Sequence, residues 1–192
     1  PTTIDDAILD LMAARGKLCP YLHVPAQSGD GRVLRAMRRR YDADEYVRFM
    51  RRAVERVPGI GLGTDVIVGF PGEDDAAFGR ARDLVAALPF VNVHVFSFSA
   101  RPRTSAHAMP GRVVPAEIRR RSDFLHRFAQ SRREELYRSI VGREARVLFE
   151  ARAQDGSHGG FTDEYVRVRV RSELDLANRL LDVRLTGVCL SP

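Results

Sequence analysis

Residues 60–69 read IGLGTDVIVG, a nearly unbroken apolar run closed by a glycine. A run this short and this rich in β-branched residues reads as a strand of the kind buried on both faces of a parallel sheet. Gly72 then opens EDDAAFGRARDLVAAL, residues 73–88, where Glu73, Asp74 and Asp75 suit the positive N-terminus of a helix. The next strand is VNVHVFSF, 91–98. In the other direction, Asp42 and Glu45 have capping-box spacing ahead of a helix that turns Tyr46, Phe49, Ala53 and Val54 inward. Residues 30–40 read as a basic helix with Val33, Leu34 and Met37 on one face, PYLHVP (20–25) as a short strand, and 3–16 as a helix. Pro115 begins a long basic helix that runs to residue 139. Strand and helix in alternation are the pattern of parallel α/β architecture. The strand at 20–25 has no predecessor, so the sheet begins on an uncovered edge, which natural folds avoid. The chain reads as a barrel entered halfway round.

After Gly142 the pattern changes. VLFEA (147–151), YVRVRV (165–170) and LDVRLTGV (181–188) are strand-like, and QDGSHGGFTDE and RSELDLANR read as the loops between them. The expectation is a small all-β barrel of about 50 residues. The boundary falls near residue 140, giving domains 1–139 and 140–192.

An apolar share of 44% places the chain among globular proteins and excludes a disordered one. No apolar run approaches the ~20 residues of a membrane span, so no membrane partner is expected. The opening PTTIDDAILD lacks the basic-then-apolar order of a signal peptide. Two cysteines, Cys19 and Cys189, imply no disulfide framework, and a reducing cytoplasm is the expected location. The net charge of +6 is localised: residues 101–139 carry 10 basic against 4 acidic side chains, and the remainder of the chain balances. Lys17 is the only lysine, as a GC-rich genome would dictate, but base composition does not explain why the excess sits in one segment. A local positive field is how a protein attracts phosphate backbones.

Chemistry in an α/β barrel belongs at the C-terminal ends of the strands, which here are HVPAQSG (23–29), TDVIVGFPGE (64–73) and HVFSFSARPRTSA (94–106). A cofactor with an adenine, a ribose and a charged amino acid needs apolar edges, amide or hydroxyl groups and a charged partner. Ile67 and Phe96 offer the first, Gln27 and Ser28 the second and Asp65 the third, while Gly69 and Gly72 permit close backbone approach. Each has a plainer reading. Gln27 and Ser28 serve equally as caps of the next helix, and the glycines as a tight strand-to-helix turn. His94 inside a strand fits a satisfied core histidine better than a ligand, and no metal site and no catalytic residue is assigned. Asp65 in an apolar strand is harder to dismiss, because a buried carboxylate is costly without a partner.

Taken together, HVPAQSG with RVLRAMRRRY, TDVIVGFPGE and HVFSFSARPRTSA resemble the radical S-adenosylmethionine (SAM) methylthiotransferase family. The order and spacing agree over almost the whole chain. VGREARVLFE and FTDEYVRVRV resemble the TRAM RNA-binding module that closes these enzymes. The HVF of the third strand and the spacing of Thr162 and Tyr165 are most similar to the threonylcarbamoyladenosine-tRNA branch. The branches acting on isopentenyladenosine-tRNA or on a ribosomal protein fit less well. The resemblance implies the last three βα units of a TIM-type radical SAM barrel followed by a TRAM barrel. It also implies methylthiolation of a hypermodified adenosine beside the anticodon of tRNA. S-adenosylmethionine and [4Fe-4S] clusters are the implied cofactors. The implied cofactor-binding residues are Gln27, Ser28, Asp65, Ile67, Gly69 and Phe96. Departures from the family pattern are Gly29-Asp30-Gly31, where Gly-Ser-Asp is usual, and Arg103 and Ser105, where glycine and proline are common; all read as surface turns. The family's cluster-binding cysteines are not in this sequence. A chain without them is expected to be inactive alone, as a truncated piece or with a separate partner supplying that half.

Arg167, Arg169 and Arg171 alternate along YVRVRVR and project from one strand face, with Val166, Val168 and Val170 on the other. With Arg101, Arg119 and Arg120 of the basic segment they would form a phosphate track for the tRNA anticodon arm, and Tyr165 would stack on a base. A solvated outer face, and a core or interface tyrosine, are the alternatives. A different class of function, a non-catalytic RNA-binding module, uses the same surface.

Overall fold

The computed structural model describes residues 4–189. Helices α1 (Asp6–Ala13), α2 (Gly31–Ala36), α3 (Ala43–Arg56) and α4 (Asp75–Ala86) each start from an aspartate, Asp5, Asp30, Asp42 and Asp74, whose side chain accepts from first-turn backbone N–H groups. Such a cap contributes about 1 kcal/mol. The Asp42–Glu45 capping box is complete. Helix α1 is shorter than expected, ending where Arg15 turns to a φ of 49°; Thr3 lies outside the described residues. Helix α2 likewise stops early, before Arg38 at a φ of 58°. Helix α5 (Pro115–Ser139) begins on its proline, whose fixed φ suits the first turn.

Strands β1 (Tyr21–His23), β2 (Gly61–Val68) and β3 (Phe90–Ser97) form a parallel sheet in the order β1-β2-β3, with Leu22 opposite Leu62 and Asp65 opposite His94. Its two faces differ, which corrects the expectation that β2 is buried apolar on both. Leu62, Thr64, Val66 and Val68 point to the side covered by α3, α4 and α5 and are all buried. Tyr46 of α3 is pinned there: its hydroxyl donates to the carbonyl of Val24 at 2.7 Å and contacts Thr64 Oγ1 at 2.9 Å. The other face carries Gly61, Gly63, Asp65 and Ile67 between Tyr21 and His23 on one side and Asn92, His94 and Phe96 on the other. That face is polar and partly open.

Strands β4 (Glu144–Arg152), β5 (Ser157–Thr162), β6 (Arg167–Arg171) and β7 (Leu180–Arg184) form an antiparallel sheet in the order β6-β5-β4-β7. Strand β5 lies inside QDGSHGGFTDE, expected to be a loop. Gly159 and Gly160 hide it from pattern reading; Gly160 sits so close under Leu148 and Val147 that an added Cβ would meet the Leu148 carbonyl at 2.6 Å. Among the described residues β6 and β7 do not pair with each other, so the sheet is open where a closed barrel was expected. Val147, Phe149 and Leu176 form its core.

The sheets meet at the N-terminal ends of β1 and β2. Tyr165, at a φ of 66°, stacks on Tyr21 at 4.4 Å and on Phe161 at 4.6 Å, and the Glu164 carbonyl lies over Gly61 so tightly that a Cβ there would meet it at 1.8 Å. Arg15 donates to Glu164 at 2.5 Å, and the Arg167 amide donates to the hydroxyl of Tyr137 near the end of α5 at 3.5 Å.

Candidate functional site at the strand ends

The C-terminal ends of β1 and β2 are joined by Gln27, which takes a φ of 66° and bridges the next strand: its amide donates to the Asp65 carbonyl at 2.8 Å, and its carbonyl accepts from the Ile67 amide at 2.9 Å. Ile67 lies opposite Phe96 in the register, and Phe96 is 52% exposed. Ile67 and Phe96 therefore form an apolar ledge across β2 and β3, and the turn beside it carries Gln27, level with Val66, and Ser28, both buried. Helix α2 is capped by Asp30, and Ser28 Oγ accepts from the Asp30 amide at 3.1 Å. Gly69 sits apart, at a φ of 80°; its amide donates to Glu73 Oε1 at 2.9 Å and its α-carbon lies under Ile118, which a Cβ would meet at 2.4 Å.

Two expected surface turns are not alike. Asp30 is buried, receives the Arg32 and Val33 amides and pairs with Arg80 at 2.5 Å. Burial pushes its carboxyl up, but the Val33 amide and Arg80 outweigh that and hold it below the usual aspartate range. The reading of Gly29-Asp30-Gly31 as a surface turn is therefore corrected: Gly29 packs against the Arg80 carbonyl, leaving 2.3 Å for any Cβ. Arg103 is exposed, at a φ of 67°, in the left-handed region that glycine adopts most readily.

Beneath the ledge, Asp65 Oδ1 contacts two imidazoles, His23 Nε2 at 2.9 Å and His94 Nδ1 at 3.1 Å. Neither histidine was singled out from the sequence as a ligand. The signal was the strand alignment: once the three strands lie parallel, 65 falls opposite 94, and 23 falls opposite 63, two residues away on the same face. A second unforeseen group holds the GFPGE turn. Glu73, with no exposed side-chain surface, pairs with Arg121 of α5 at 2.8 Å, and Arg121 also reaches Asp75 and Glu117. Burial pushes the Glu73 carboxyl above its ordinary value, against the Gly69 amide and Arg121.

The expected RNA residues fall into two groups. Arg101, Arg119 and Arg120 are exposed near the strand C-terminal end, with Arg120 paired to Glu117 at 2.6 Å. Arg167, Arg169 and Arg171 are exposed on β6, by the last turns of α5. At a rise of about 1.5 Å per residue, Arg119 is about 27 Å along the helix axis from Tyr137. The excess positive charge of this segment is partly consumed: Arg121 is buried, and Arg132 and Arg138 pair with Glu135 and Glu134. On β6, Arg169 is committed to Asp155 and to Ser157 Oγ, the latter at 2.8 Å. Tyr165, 44% exposed, stacks on Tyr21 and on Phe161 where the two sheets meet.

An iron–sulfur cluster needs several thiolates converging on one site. Cys19 and Cys189 are both free and exposed, so the residues of this chain do not fit a cluster. The ledge, by contrast, has an open aromatic edge in Phe96, which suits the base of an adenosine. Among the described residues no helix is long and apolar enough to cross a membrane.

Residues 1–85 match the Radical SAM superfamily. Over 164 residues, 85% of the chain, the sequence is 36% identical to the threonylcarbamoyladenosine tRNA methylthiotransferase MtaB of Thermotoga maritima, of which it spans 38%. Over 191 residues, 97% of the chain, it is 36% identical to a tRNA-2-methylthio-N(6)-dimethylallyladenosine synthase of Cereibacter sphaeroides, of which it spans 43%. The chain thus covers less than half the length of these relatives. The Radical SAM match and these relatives imply S-adenosylmethionine and iron–sulfur clusters as cofactors, and the segments at 23–29 and 64–73 lie inside the matched region.

Proposed function

We propose that this chain is the part of a tRNA methylthiotransferase, acting in the cytoplasm, that supplies the last βα units of the radical SAM domain and a TRAM-like RNA-binding module. Residues 1–139 form the first unit and 140–192 the second. The observation that carries the reading is the similarity to two tRNA-modifying enzymes over most of the chain, with HVPAQSG, TDVIVGFPGE and HVFSFSARPRTSA at the ends of three parallel strands. In this reading the ledge of Ile67 and Phe96 covers the base of S-adenosylmethionine, and the adjoining turn of Gln27 and Ser28 receives the ribose. Gly69 and Glu73 fix the turn that shapes the ledge. Asp65, already engaged by two imidazoles, acts apart from the ledge. When bound, S-adenosylmethionine supplies reductive-cleavage chemistry that needs a cluster, so the chain alone is inactive. Exposed Arg101, Arg119, Arg167 and Arg171 offer positive charge to the phosphates of the anticodon arm.

The substrate is threonylcarbamoyladenosine, the branch that HVF in β3 and the Thr162–Tyr165 spacing resemble. Disrupting the gene and measuring tRNA nucleosides by mass spectrometry tests this. The methylthio derivative of threonylcarbamoyladenosine should vanish while that of isopentenyladenosine remains. The reverse pattern would assign the other branch, and no change in either would overturn the reading.

A further inference from the structure

We propose that His23, Asp65 and His94 form a binding site for a first-row divalent cation of the zinc class on the open face of the parallel sheet. One ligand atom from each, an imidazole nitrogen from each histidine and a carboxylate oxygen, lies within 4.8 Å of the other two. Both imidazoles aim at the same atom, Asp65 Oδ1, at 2.9 and 3.1 Å. Bonds of about 2.0–2.2 Å to a tetrahedral ion hold ligand atoms about 3.4 Å apart, so the two Asp65 contacts need to open by a few tenths of an ångström for the ion to enter. Two imidazoles and one carboxylate are a donor set that suits zinc, cobalt and iron(II), and three protein ligands leave a further position open.

Three features indicate a built site. The ligands come from three adjacent strands in fixed register, so backbone hydrogen bonds set their spacing. Gly63 lies between them, and a Cβ there would meet His23 Nδ1 at 2.5 Å and the Tyr21 hydroxyl at 2.3 Å, so only glycine lets the imidazole lie across β2. Each outer ring nitrogen also has a partner: His23 Nδ1 meets the Tyr21 hydroxyl at 3.4 Å, and His94 Nε2 meets the Asn92 amide at 2.9 Å. Such partners fix the ring orientation of ligating histidines. With a cation bound, both outer nitrogens carry hydrogen. The Tyr21 oxygen can accept from His23, and Asn92 accepts from His94 by turning its carbonyl oxygen inward, a half-turn of the amide. The half-exposed His94 keeps the open position facing solvent, where an oxygen ligand can enter.

This inference does not rest on the reading of the ledge or on tRNA as substrate. Its test is titration of the tag-free, full chain with cobalt(II), followed by visible d–d absorption, and then competition by zinc. Saturation at one equivalent is expected. His94→Ala and Asp65→Asn should each weaken binding by about tenfold or more, while His126→Ala and His107→Ala leave it unchanged. His94 is half exposed, so its replacement keeps the fold even if that of Asp65 does not. No saturable binding, or binding unchanged in His94→Ala, would overturn the proposal.

Discussion

At the scale of single residues, the pair Glu73–Arg121 holds more of the site than its place in the sequence suggests. Its acid was expected only to favour a helix N-terminus, and its base to be one of many surface arginines. Instead the guanidinium is buried, lies 5.4 Å from the Phe78 ring and satisfies three carboxylates. Breaking a buried pair leaves an uncompensated charge and costs about 3–5 kcal/mol. Arg121→Met should therefore lower stability by about that much at neutral pH, read from urea unfolding. The sign of its pH dependence follows from Glu73, whose folded carboxyl is already raised by burial and rises further without the arginine. A group raised in the folded state stabilises it below its unfolded value, and that contribution is lost as pH rises through the folded value. The deficit of the variant should thus shrink as pH falls toward the ordinary glutamate range. A deficit independent of pH would place the cost elsewhere.

At the scale of elements, strand β6 separates what alternation can tell from what it cannot. Alternation gave the exposed arginine face and the inward valines, and both are there. It could not show that Arg169 is taken by Asp155, because that contact crosses to the turn before β5, a strand that Gly159 and Gly160 conceal. The same limit explains the helices: Asp42, Glu45 and Pro115 mark their starts in the sequence itself, whereas α1 and α2 end at residues turned to positive φ, which no residue type announces. Likewise Asp65 was legible as an anomaly in an apolar strand, but its histidine partners depend on register between strands. For RNA binding the consequence is specific. Each phosphate contact contributes roughly 0.7 to 0.9 to the log–log salt slope. Replacing Arg167 and Arg171 by glutamine should remove about 1.4 to 1.8 units of slope for tRNA, while Arg169→Gln should change it little and lower stability instead. Arg48→Gln with Arg51→Gln on the exposed face of α3 is the control. Arg80 does not serve as one, because it pairs with buried Asp30. An unchanged slope in the Arg167, Arg171 variant would leave β6 as a merely solvated face.

At the scale of the whole molecule, α5 belongs to the parallel sheet in packing although it follows the last βα turn by some distance in sequence. Leu125 is fully buried in the cluster of Val66, Val68, Phe78, Ala81 and Val85, and Ile118 closes over Gly69. A chain cut at residue 110 loses these together with the partner of Glu73. Uncovering that much apolar surface at about 25 cal/mol per Å² is a large loss for a sheet that already has an unpaired edge at β1. Residues 1–139 keep α5 and lose the contact of Tyr21 with Tyr165, the seat of the Glu164 carbonyl on Gly61, the Arg15–Glu164 pair and the hydrogen bond from Arg167 to Tyr137. The expected outcome is that 1–139 melts cooperatively while 1–110 self-associates, measured side by side by calorimetry and sedimentation. The stacking of Tyr165 on Tyr21 adds about 0.5–1.5 kcal/mol beyond its buried area, so Tyr165→Ala in the full chain should loosen the junction without unfolding either sheet. Equal, cooperative melting of 1–110 and 1–139 would mean that α5 is an appendage, and the first unit would then end before Pro115.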